Sequence, residues 1–474
     1  MGRWADRPWG AVVVAAVALA LAAVSARPFA GGWNDGSRLA AAESLLDRGT
    51  LAIDDSVYCR PSTAGRPPYP ADRPDLNAVG TLDKLFIAGH FHSDKPAVAN
   101  VLTAAVYWPL VRVGFPAPGA RPDVFAWAVT VLTSGVGFAA AVGVIWLLGR
   151  RIGLDPRLRL AWTAAFGLST FALTYTQHVT PHTPHLAVVA GMVLLLLRVA
   201  DSHAAGRTAW GSLVGLGLLA GLGFNLDFAA GPLFAAAGFA AVGWRTRSVA
   251  ALLVYAVAAL PGVAAGVGLN LAIGGSVLPP NMNPAYFRYP GSAFTEDNLT
   301  GFLRHRPLNL LLYAGGMLVG KHGFLNHNLP LLLAAAGAWR VFGRPFPGRA
   351  ELAWLLAGCG ATWAAYAVLS NNMGGQCCSV RWFVPFLAPG FWVLGELLRG
   401  WPKYRADFYA LGAWGAVLGG LMLWAGPWAP RMVPLLWPVG GAAMLTWAAV
   451  EARRWRGALA PVVRRAVRLS RDSG

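Results

Sequence analysis

The chain has 474 residues, 56% of them hydrophobic and only 13% charged, and its mean hydropathy is +0.49. Soluble domains carry about 25% charged residues, so this composition excludes a soluble enzyme and a disordered chain. Nearly charge-free runs such as 11–24, 184–197 and 407–426 lack the alternation of β-barrel strands, which excludes a membrane barrel. The composition therefore predicts an all-α polytopic membrane protein.

The net charge of +18 arises from 39 basic and 21 acidic residues. In a soluble chain this surplus would suggest nucleic-acid binding. In a membrane protein, Lys and Arg collect in cytoplasmic loops and record the orientation of the chain. We therefore expect the lipid bilayer as a partner, and no nucleic acid.

Runs of about 20 apolar residues, the length that crosses a bilayer, predict a bundle of about 12 transmembrane helices. The predicted spans are 9–26, 123–149, 159–177, 184–200, 209–224, 228–244, 249–273, 324–341, 351–370, 382–398, 407–426 and 432–450. The first span could instead be a signal peptide with its cleavage site at Val24-Ser25-Ala26. We favour an uncleaved anchor, because the loop that follows looks tied to the membrane.

One more apolar stretch, residues 97–114, either crosses the membrane or lies along its surface. If it lies along the surface, the Arg-rich loops share one side, which then holds 23 basic and 8 acidic residues against 16 and 13 on the other. Because basic residues mark the cytoplasmic side, we predict a juxtamembrane helix there. Both termini are then cytoplasmic, and the first outer loop covers 27–122.

This order divides the chain into a transmembrane module over 1–274, an outer loop with the following helices over 275–398, and C-terminal helices with a basic tail over 399–474. The first outer loop holds nine of the 21 acidic residues. It also contains a predicted short helix, Ser37–Arg48, which Gly49 can end. The outer segment 275–323, with Glu296 and Asp297, and the segment Asn371–Arg381 are polar as well.

Only four lysines occur in the chain, and three of them, Lys84, Lys95 and Lys321, fall on the predicted outer side. Charges placed against the positive-inside bias need a reason, and anion binding is the simplest. Carboxylates beside a bound phosphate can deprotonate a hydroxyl next to a phosphate leaving group. A group transfer outside the membrane needs a donor activated by a lipid, and the apolar bundle suits a polyprenyl tail.

Several blocks of sequence stand out in the predicted outer loops. They are Asn34-Asp35-Gly36-Ser37-Arg38, residues 45–55 (LLDRGTLAIDD), Asp83-Lys84 with residues 89–96 (GHFHSDKP), residues 320–324 (GKHGF) with Pro330, and Gly374-Gly375-Gln376 with residues 381–385 (RWFVP). In this order, over roughly 30–385, they resemble bacterial GT-C glycosyltransferases. That superfamily includes protein O-mannosyltransferase-like proteins and the aminoarabinose transferase of lipid A.

The resemblance implies a GT-C-type bundle and an inverting glycosyltransferase with a polyprenyl-phosphate sugar as donor. It implies that Asp35 is the general base on the acceptor hydroxyl and that Asp94 binds acceptor or donor. Lys95 would contact the donor phosphate, assisted by Arg381 and Lys321. The acceptor would be a lipid, glycan or protein at the periplasmic face of a bacterial inner membrane. Further substrate-binding candidates are Arg38, Asp54, Asp55, Lys84, His90 and His92.

Two positions depart from the family pattern. Gly36 stands where many relatives have a second acid, and the second outer loop, 177–185 (QHVTPHTPH), has no carboxylate. A catalytically lapsed protein of the same fold therefore stays open. A transporter or flippase function also stays open. The predicted spans of this chain, however, offer few ionisable residues beyond Asp227 and Glu396, which lie near span ends.

Each site residue also has a structural interpretation. Asp35 could cap the helix that follows it, Lys95 could snorkel to the head groups, and Arg381 could anchor a span at the interface. Asp54 and Asp55 are typical turn residues.

Two questions of covalent and metal chemistry stay open. Eight of the nine histidines lie on or near the predicted outer face and, with Asp94, could hold Zn²⁺, but their spacing matches no standard motif. In an oxidising periplasm, Cys59 could pair with Cys377 or Cys378.

Overall fold

The computed structural model describes residues 9–59, 67–295, 307–370, 372–375, 377–428 and 432–472, with side chains of the last helix as far as residue 456. Glu296, Asp297 and His305, which the sequence pattern assigns to outer segments, lie outside these ranges, as do Asn371 and Gln376.

The described residues are mostly helical. In chain order the helices are α1 (Gly10–Ser25), α2 (Trp33–Arg48), α3 (Pro74–Val79), α4 (Ala97–Arg112), α5 (Pro122–Ile152), α6 (Pro156–Leu168), α7 (His182–Ala204), α8 (Trp210–Phe224), α9 (Ala230–Thr246), α10 (Val249–Gly274), α11 (Pro307–Val319), α12 (Pro330–Phe342), α13 (Arg349–Leu369), α14 (Leu387–Gly400), α15 (Arg405–Ala425) and α16 (Leu436–Asp472). One antiparallel hairpin joins β1 (Lys84–Ile87) to β2 (His90–Ser93).

Several of these helices have the length and composition of membrane spans. In the described ranges, α5, α7, α10, α13 and the helical stretch Pro402–Ala425 are long and apolar enough to cross a bilayer. The helices α1, α8 and α12 are shorter and also apolar. The prediction of an all-α polytopic membrane protein is confirmed.

Helix α7 lies at the centre of the bundle, because it is apolar around its whole circumference. Leu186, Val189, Val193 and Leu196 are at most 1% exposed, and α7 packs against α5, α8 and α9. A helix that is apolar on all sides is buried in a bundle rather than laid on its surface. Its first residue, His182, is thereby held inside the protein at the end where the outer loops meet.

The predicted span 159–177 is wrong in its second half. Helix α6 ends at Leu168, and residues 169–181 form a buried segment without α-helix. The Ser169 hydroxyl donates to the carbonyl oxygen of Gly412 at 2.7 Å, so side chains and neighbouring helices replace the helical hydrogen bonds. Irregular backbone is tolerated at membrane depth only where protein surrounds it.

The first outer loop folds around its own small core. Helix α2 begins at Trp33, four residues before the predicted start, and ends at Gly49, whose φ of 70° is left-handed as predicted. The residues from Asp35 to Ser44 are all buried, so α2 is covered on more sides than its amphipathic pattern suggested. The core beneath it contains Ile53, Tyr58, Tyr69, Tyr107 and Phe125.

Three other elements differ from, or extend, the predicted topology. The stretch 97–114 forms helix α4, which packs against α2 and α10; its position along the membrane surface stays a prediction. The polar segment 275–323 contains the apolar helix α11, whose 13 residues span about 20 Å. Helix α16 continues to Asp472, because arginines and aliphatic residues beyond 450 are also good helix formers. The division of the chain at 274 and 398 stays a prediction.

Candidate functional site

A cavity of about 300 Å³ opens at the end of the bundle where the predicted outer loops meet. Its walls come from α2, the turn after β2, and the ends of α7, α9 and α13. It brings together residues that are far apart in the sequence. The polar residues that line it are Asn34, Arg38, Asp94, Lys95, His182, Asp227, Asn281, Tyr366 and Arg381.

Lys95 is held between two carboxylates at the edge of the cavity. Its Nζ lies 2.6 Å from Asp83 Oδ2 and 2.8 Å from Asp94 Oδ2, and the three side chains are 10–13% exposed. The Ser37 hydroxyl donates to Asp94 Oδ1 at 3.2 Å. Burial raises the pKa of Asp94, and the neighbouring Lys95 opposes this shift. The two carboxylates fix the position of the Lys95 side chain.

Arg38 places a second cation in the same wall, from one turn into α2. It is 6% exposed, and burial, followed by the charge of Arg381, lowers its pKa to about 10. Within the described ranges, Arg38 Nε and Arg381 Nε are buried without a hydrogen-bond partner. Guanidinium groups that repel one another and retain free buried donors are suited to bind an anion.

Asn34 connects the cations of the two loops. With its amide oxygen turned toward them, it accepts hydrogen bonds from Lys95 Nζ at 3.1 Å and from Arg381 Nη1 at 3.2 Å. The first outer loop and the segment before α14 therefore meet through one amide oxygen.

The glycine pair before Arg381 brings the backbone close to that side chain. Gly374 and Gly375 have φ of +90° and +84°, a conformation that glycine adopts without strain. A Cβ atom on Gly374 would lie 3.2 Å from Cys377 Sγ and 3.3 Å from the backbone nitrogen of Arg381. On its other side, the guanidinium of Arg381 lies over the ring of Trp428, 5.4 Å from its centroid.

A second carboxylate, Asp227, lines the cavity from the turn between α8 and α9. Its Oδ1 accepts hydrogen bonds from the backbone of Ala229 at 3.1 Å and of Ala230 at 2.9 Å, and from the Tyr366 hydroxyl at 2.6 Å. The Tyr366 ring stacks on Trp382 with 4.0 Å between centroids. Asp227 is thus linked through two rings to the residue that follows Arg381.

The cavity also has an apolar edge. Phe228, Met282 and Leu369 line it and are 40%, 52% and 47% exposed. Exposed large apolar side chains beside a polar cavity are typical of a site for an amphipathic ligand.

The structure places Asp35 outside the lining of this cavity. Its carboxylate accepts hydrogen bonds from the backbone of Gly31 at 2.6 Å and of Gly32 at 3.0 Å, which caps the start of α2. His178 Nδ1 lies 3.1 Å from Asp35 Oδ2. The side chain is fully buried, so the structural interpretation of Asp35 is realised.

The remaining candidates also lie away from the cavity lining. Asp54 accepts hydrogen bonds from the backbone of Phe91 at 3.0 Å and from His90 Nδ1 at 3.2 Å, which fixes the hairpin. Lys84 lies over the Phe91 ring, 4.4 Å from its centroid. His92 occupies the same hairpin, and burial lowers its pKa. Asp55 and Lys321 are exposed.

The open questions of disulfide and metal chemistry have structural answers within the described residues. All four cysteines are free, so Cys59 is not paired with Cys377 or Cys378. Burial raises the pKa of the Cys59 thiol to about 12. No group of three or more His, Cys, Asp or Glu side chains in these ranges is arranged to hold a metal ion.

Several polar lining residues did not emerge from the sequence as site residues, among them Asn34, Asp227 and Tyr366. Asn34 directly precedes Asp35, which the resemblance marks as the general base. The position of Asp227 could have indicated a site residue. It lies in the short turn between two predicted spans, and the charge count places that turn on the outer side. Tyr366 lies inside an apolar span and carried no such signal.

No family model and no curated protein matches the chain. Among solved structures, the chain is similar to ArnT from Cupriavidus metallidurans in the apo state, with a TM-score of 0.48 and 14% identity over 93% of this chain and 75% of that one. For the same protein bound to undecaprenyl phosphate, the TM-score is 0.47 with 14% identity over 94% and 76%. For the apo oligosaccharyltransferase from Archaeoglobus fulgidus, it is 0.41 with 12% identity over 94% and 56%. Because these TM-scores lie below 0.5, the similarity assigns neither a substrate nor a mechanism to this chain.

Proposed function

We propose that the protein is an integral-membrane GT-C-type glycosyltransferase. It moves a sugar from a polyprenyl-phosphate donor to an acceptor hydroxyl, with inversion at the anomeric carbon. The observation that carries the proposal is the convergence of Arg38, Lys95 and Arg381 on one cavity, which has an apolar edge. All three cations belong to sequence blocks that resemble the superfamily.

The three cations suit a phosphate that leaves with a negative charge. Arginine pairs with phosphate oxygens in a fork geometry, and lysine acts as a point charge. Lys95 is fixed by Asp83 and Asp94, so little reorganisation is needed when the charge develops on the leaving group. Such preorganised donors are a large contribution to catalysis in sites that exclude water.

The apolar edge suits the lipid part of the donor. Phe228, Met282 and Leu369 form this edge, and α11 beside α13 exposes Leu308, Leu311 and Leu312. A polyprenyl chain lying on these helices would bring its phosphate to the cations without entering the core. The donor thus comes from the bilayer, which is a partner of the protein.

The reaction needs a base on the face of the sugar opposite the phosphate. The acceptor hydroxyl loses its proton to a carboxylate as its oxygen attacks the anomeric carbon. The bond from that carbon to the phosphate oxygen breaks, and the phosphate keeps the electron pair. Because the charge count places this end of the bundle outside, we propose that the transfer occurs at the periplasmic face of a bacterial inner membrane.

The test is transfer by the purified chain in lipid nanodiscs. Radiolabelled polyprenyl-phosphate hexose and pentose are supplied as donors, with bacterial membrane lipids and proteins as acceptors. Lys95→Ala and Arg381→Ala are expected to lose at least 100-fold in transfer and to weaken the binding of polyprenyl phosphate. Arg73→Ala is the matched control, since Arg73 pairs with Asp75 at the surface of the same loop.

Two results would count against the proposal. The first is a wild-type chain that neither binds polyprenyl phosphate nor transfers any of the sugars. The second is movement of the intact labelled donor across sealed vesicles without transfer, which would favour a flippase.

A further inference from the structure

Two acidic residues, Asp94 and Asp227, line the described cavity. Of the two, only Asp227 has a carboxylate oxygen that is not held by a hydrogen bond within the described ranges. The side chain is 7% exposed, and Oδ1 takes all three of its hydrogen bonds, from Ala229, Ala230 and Tyr366. Within the described ranges, Oδ2 has no hydrogen bond and Asp227 forms no ion pair. One oxygen is therefore fixed, and the other is available to a ligand.

The two carboxylates that the sequence favoured are both occupied. Lys95 holds Asp94 Oδ2, and Ser37 donates to Asp94 Oδ1. Asp35 accepts backbone hydrogen bonds on both oxygens and does not line the cavity. A general base needs an oxygen that can reach the proton that it removes. Asp227 lines the cavity, and within the described ranges its Oδ2 is not held by another group.

We propose that Asp227 is the general base of the transfer and that Tyr366 is its positioning residue. This inference rests on the proposed function, because it names the base of that reaction. The proton of the acceptor hydroxyl passes to Asp227 Oδ2 as the acceptor oxygen bonds to the anomeric carbon. The bond from that carbon to the phosphate oxygen breaks, and the phosphate leaves with the electron pair toward Arg38, Lys95 and Arg381.

The titratable and charged groups around Asp227 come from several elements. His185 from α7 is the titratable neighbour on one side, and Tyr366 from α13 donates from another. Arg381 lines the same cavity without pairing with Asp227. The cations are engaged with Asp83, Asp94 and Asn34. The cavity thus contains cations for the leaving phosphate and a separate carboxylate for the acceptor proton. The transfer requires both groups.

A purely structural role for Asp227 is the alternative, because its Oδ1 caps the start of α9. Asparagine caps helices about as well as aspartate. Asp227→Asn therefore keeps the cap and removes the base. Asp155 provides the matched control, since its carboxylate caps α6 through the backbone of Leu158 at 3.0 Å and lies outside the cavity lining.

The experiment uses the full chain in nanodiscs, with the donor and acceptor fraction on which the wild type is active. We expect Asp227→Asn to lose at least 100-fold in kcat, while its Kd for polyprenyl phosphate changes by less than about threefold. Asp155→Asn is expected to change neither quantity by more than about twofold.

Tyr366→Phe separates positioning from packing, because it keeps the stack on Trp382 and removes one donor from Asp227. A carboxylate that loses a hydrogen-bond donor becomes a stronger base. The acidic limb of the kcat/KM profile should therefore move to higher pH, whereas a packing role would leave the limb in place.

The outcomes distinguish this inference from the proposed function. Transfer by Asp227→Asn within threefold of wild type would overturn the assignment and leave the glycosyltransferase standing. A wild-type chain without binding or transfer would remove both. Loss of polyprenyl phosphate binding in Asp227→Asn would assign Asp227 to the architecture of the site instead.

Discussion

Tyr366 and Trp382 stack face to face, with 4.0 Å between their ring centroids and an interplanar angle of 4°. The stack joins the end of α13 to the residue after Arg381. It therefore couples the position of the carboxylate Asp227, which Tyr366 contacts, to the position of the Arg381 guanidinium. Such an aromatic pair contributes about 0.5–1.5 kcal/mol beyond the area that it buries.

Replacing Trp382 tests this coupling. Trp382→Phe keeps a ring for the stack and should retain most of the activity. Trp382→Leu removes the ring, so we expect a loss of about tenfold in kcat/KM for sugar transfer. Trp424→Leu is the control, because Trp424 is 74% exposed and distant in sequence from the cavity residues. Equal activity of the Phe and Leu variants would show that the stack does not position the site.

The lowered pKa of Arg38 leads to a prediction about how phosphate binding depends on pH. Burial, followed by the charge of Arg381, lowers its pKa to about 10, so its positive charge is lost as the pH rises through that value. If phosphate binding requires the charged form, the Kd for a polyprenyl phosphodiester should rise about fourfold between pH 8.5 and 10.5. Binding should be nearly constant between pH 7 and 8.5.

The variant Arg38→Met tests whether Arg38 is the source of this pH dependence. The variant should bind weakly at pH 8.5 and show a smaller further loss at pH 10.5. The same pH dependence in wild type and Arg38→Met would mean that Arg38 is not part of the anion site.

Asp35 offers a test that separates capping from catalysis. Its carboxylate accepts the backbone hydrogen bonds of Gly31 and Gly32, and removal of a helix cap costs about 1 kcal/mol. Asp35→Ala should therefore lower the melting temperature by about 2 °C. Asp35→Asn should restore much of that loss and retain at least a third of the transfer activity. An inactive Asp35→Asn variant with an unchanged melting temperature would instead favour Asp35 as the base.

The architecture was predictable because it follows from local composition. Apolar runs such as 184–200 and 249–273 can only be stable as helices in a bilayer, and both are helices here. The sequence also drew attention to Lys95, because it breaks the charge pattern, and to Arg381, because it lies in a recognisable block; the structure places both in the cavity lining. The signals for the helices and for these two residues lie in the local sequence, whereas their meeting in one cavity depends on the fold.

The role of each carboxylate was not predictable in this way. Asp35 and Asp227 both stand at a helix start, and nothing in either local sequence reveals which one faces a cavity. Asp227 meets Tyr366 across 139 positions of the chain, a contact set by the packing of α9 on α13. The break of the predicted span at Leu168 also depends on tertiary partners, because Ser169 bonds to Gly412.

Gly374 should be sensitive to the smallest substitution. Its φ of +90° is costly for other residues, and a Cβ atom would lie 3.3 Å from the backbone nitrogen of Arg381. Gly374→Ala should therefore shift Arg381 and weaken the binding of polyprenyl phosphate about tenfold. Gly268→Ala is the matched control, because a Cβ there meets no atom within 4 Å and alanine favours the helix. Similar binding by both variants would contradict the assignment of this loop to the anion site.

The orientation of the bundle is a prediction that cysteine labelling can check. His90 and His203 are both exposed, one in the hairpin of the first outer loop and the other at the end of α7. The charge count puts His90 outside and His203 in the cytoplasm. In a background with the four native cysteines replaced by serine or alanine, a membrane-impermeant maleimide should label His90→Cys in intact spheroplasts. It should label His203→Cys only after lysis. The reverse pattern would move the cavity to the cytoplasmic face. Since the lining residues Asp94, Lys95 and Asp227 all lie at the same end of the bundle as the hairpin, the labelling of one loop fixes the side on which the reaction occurs.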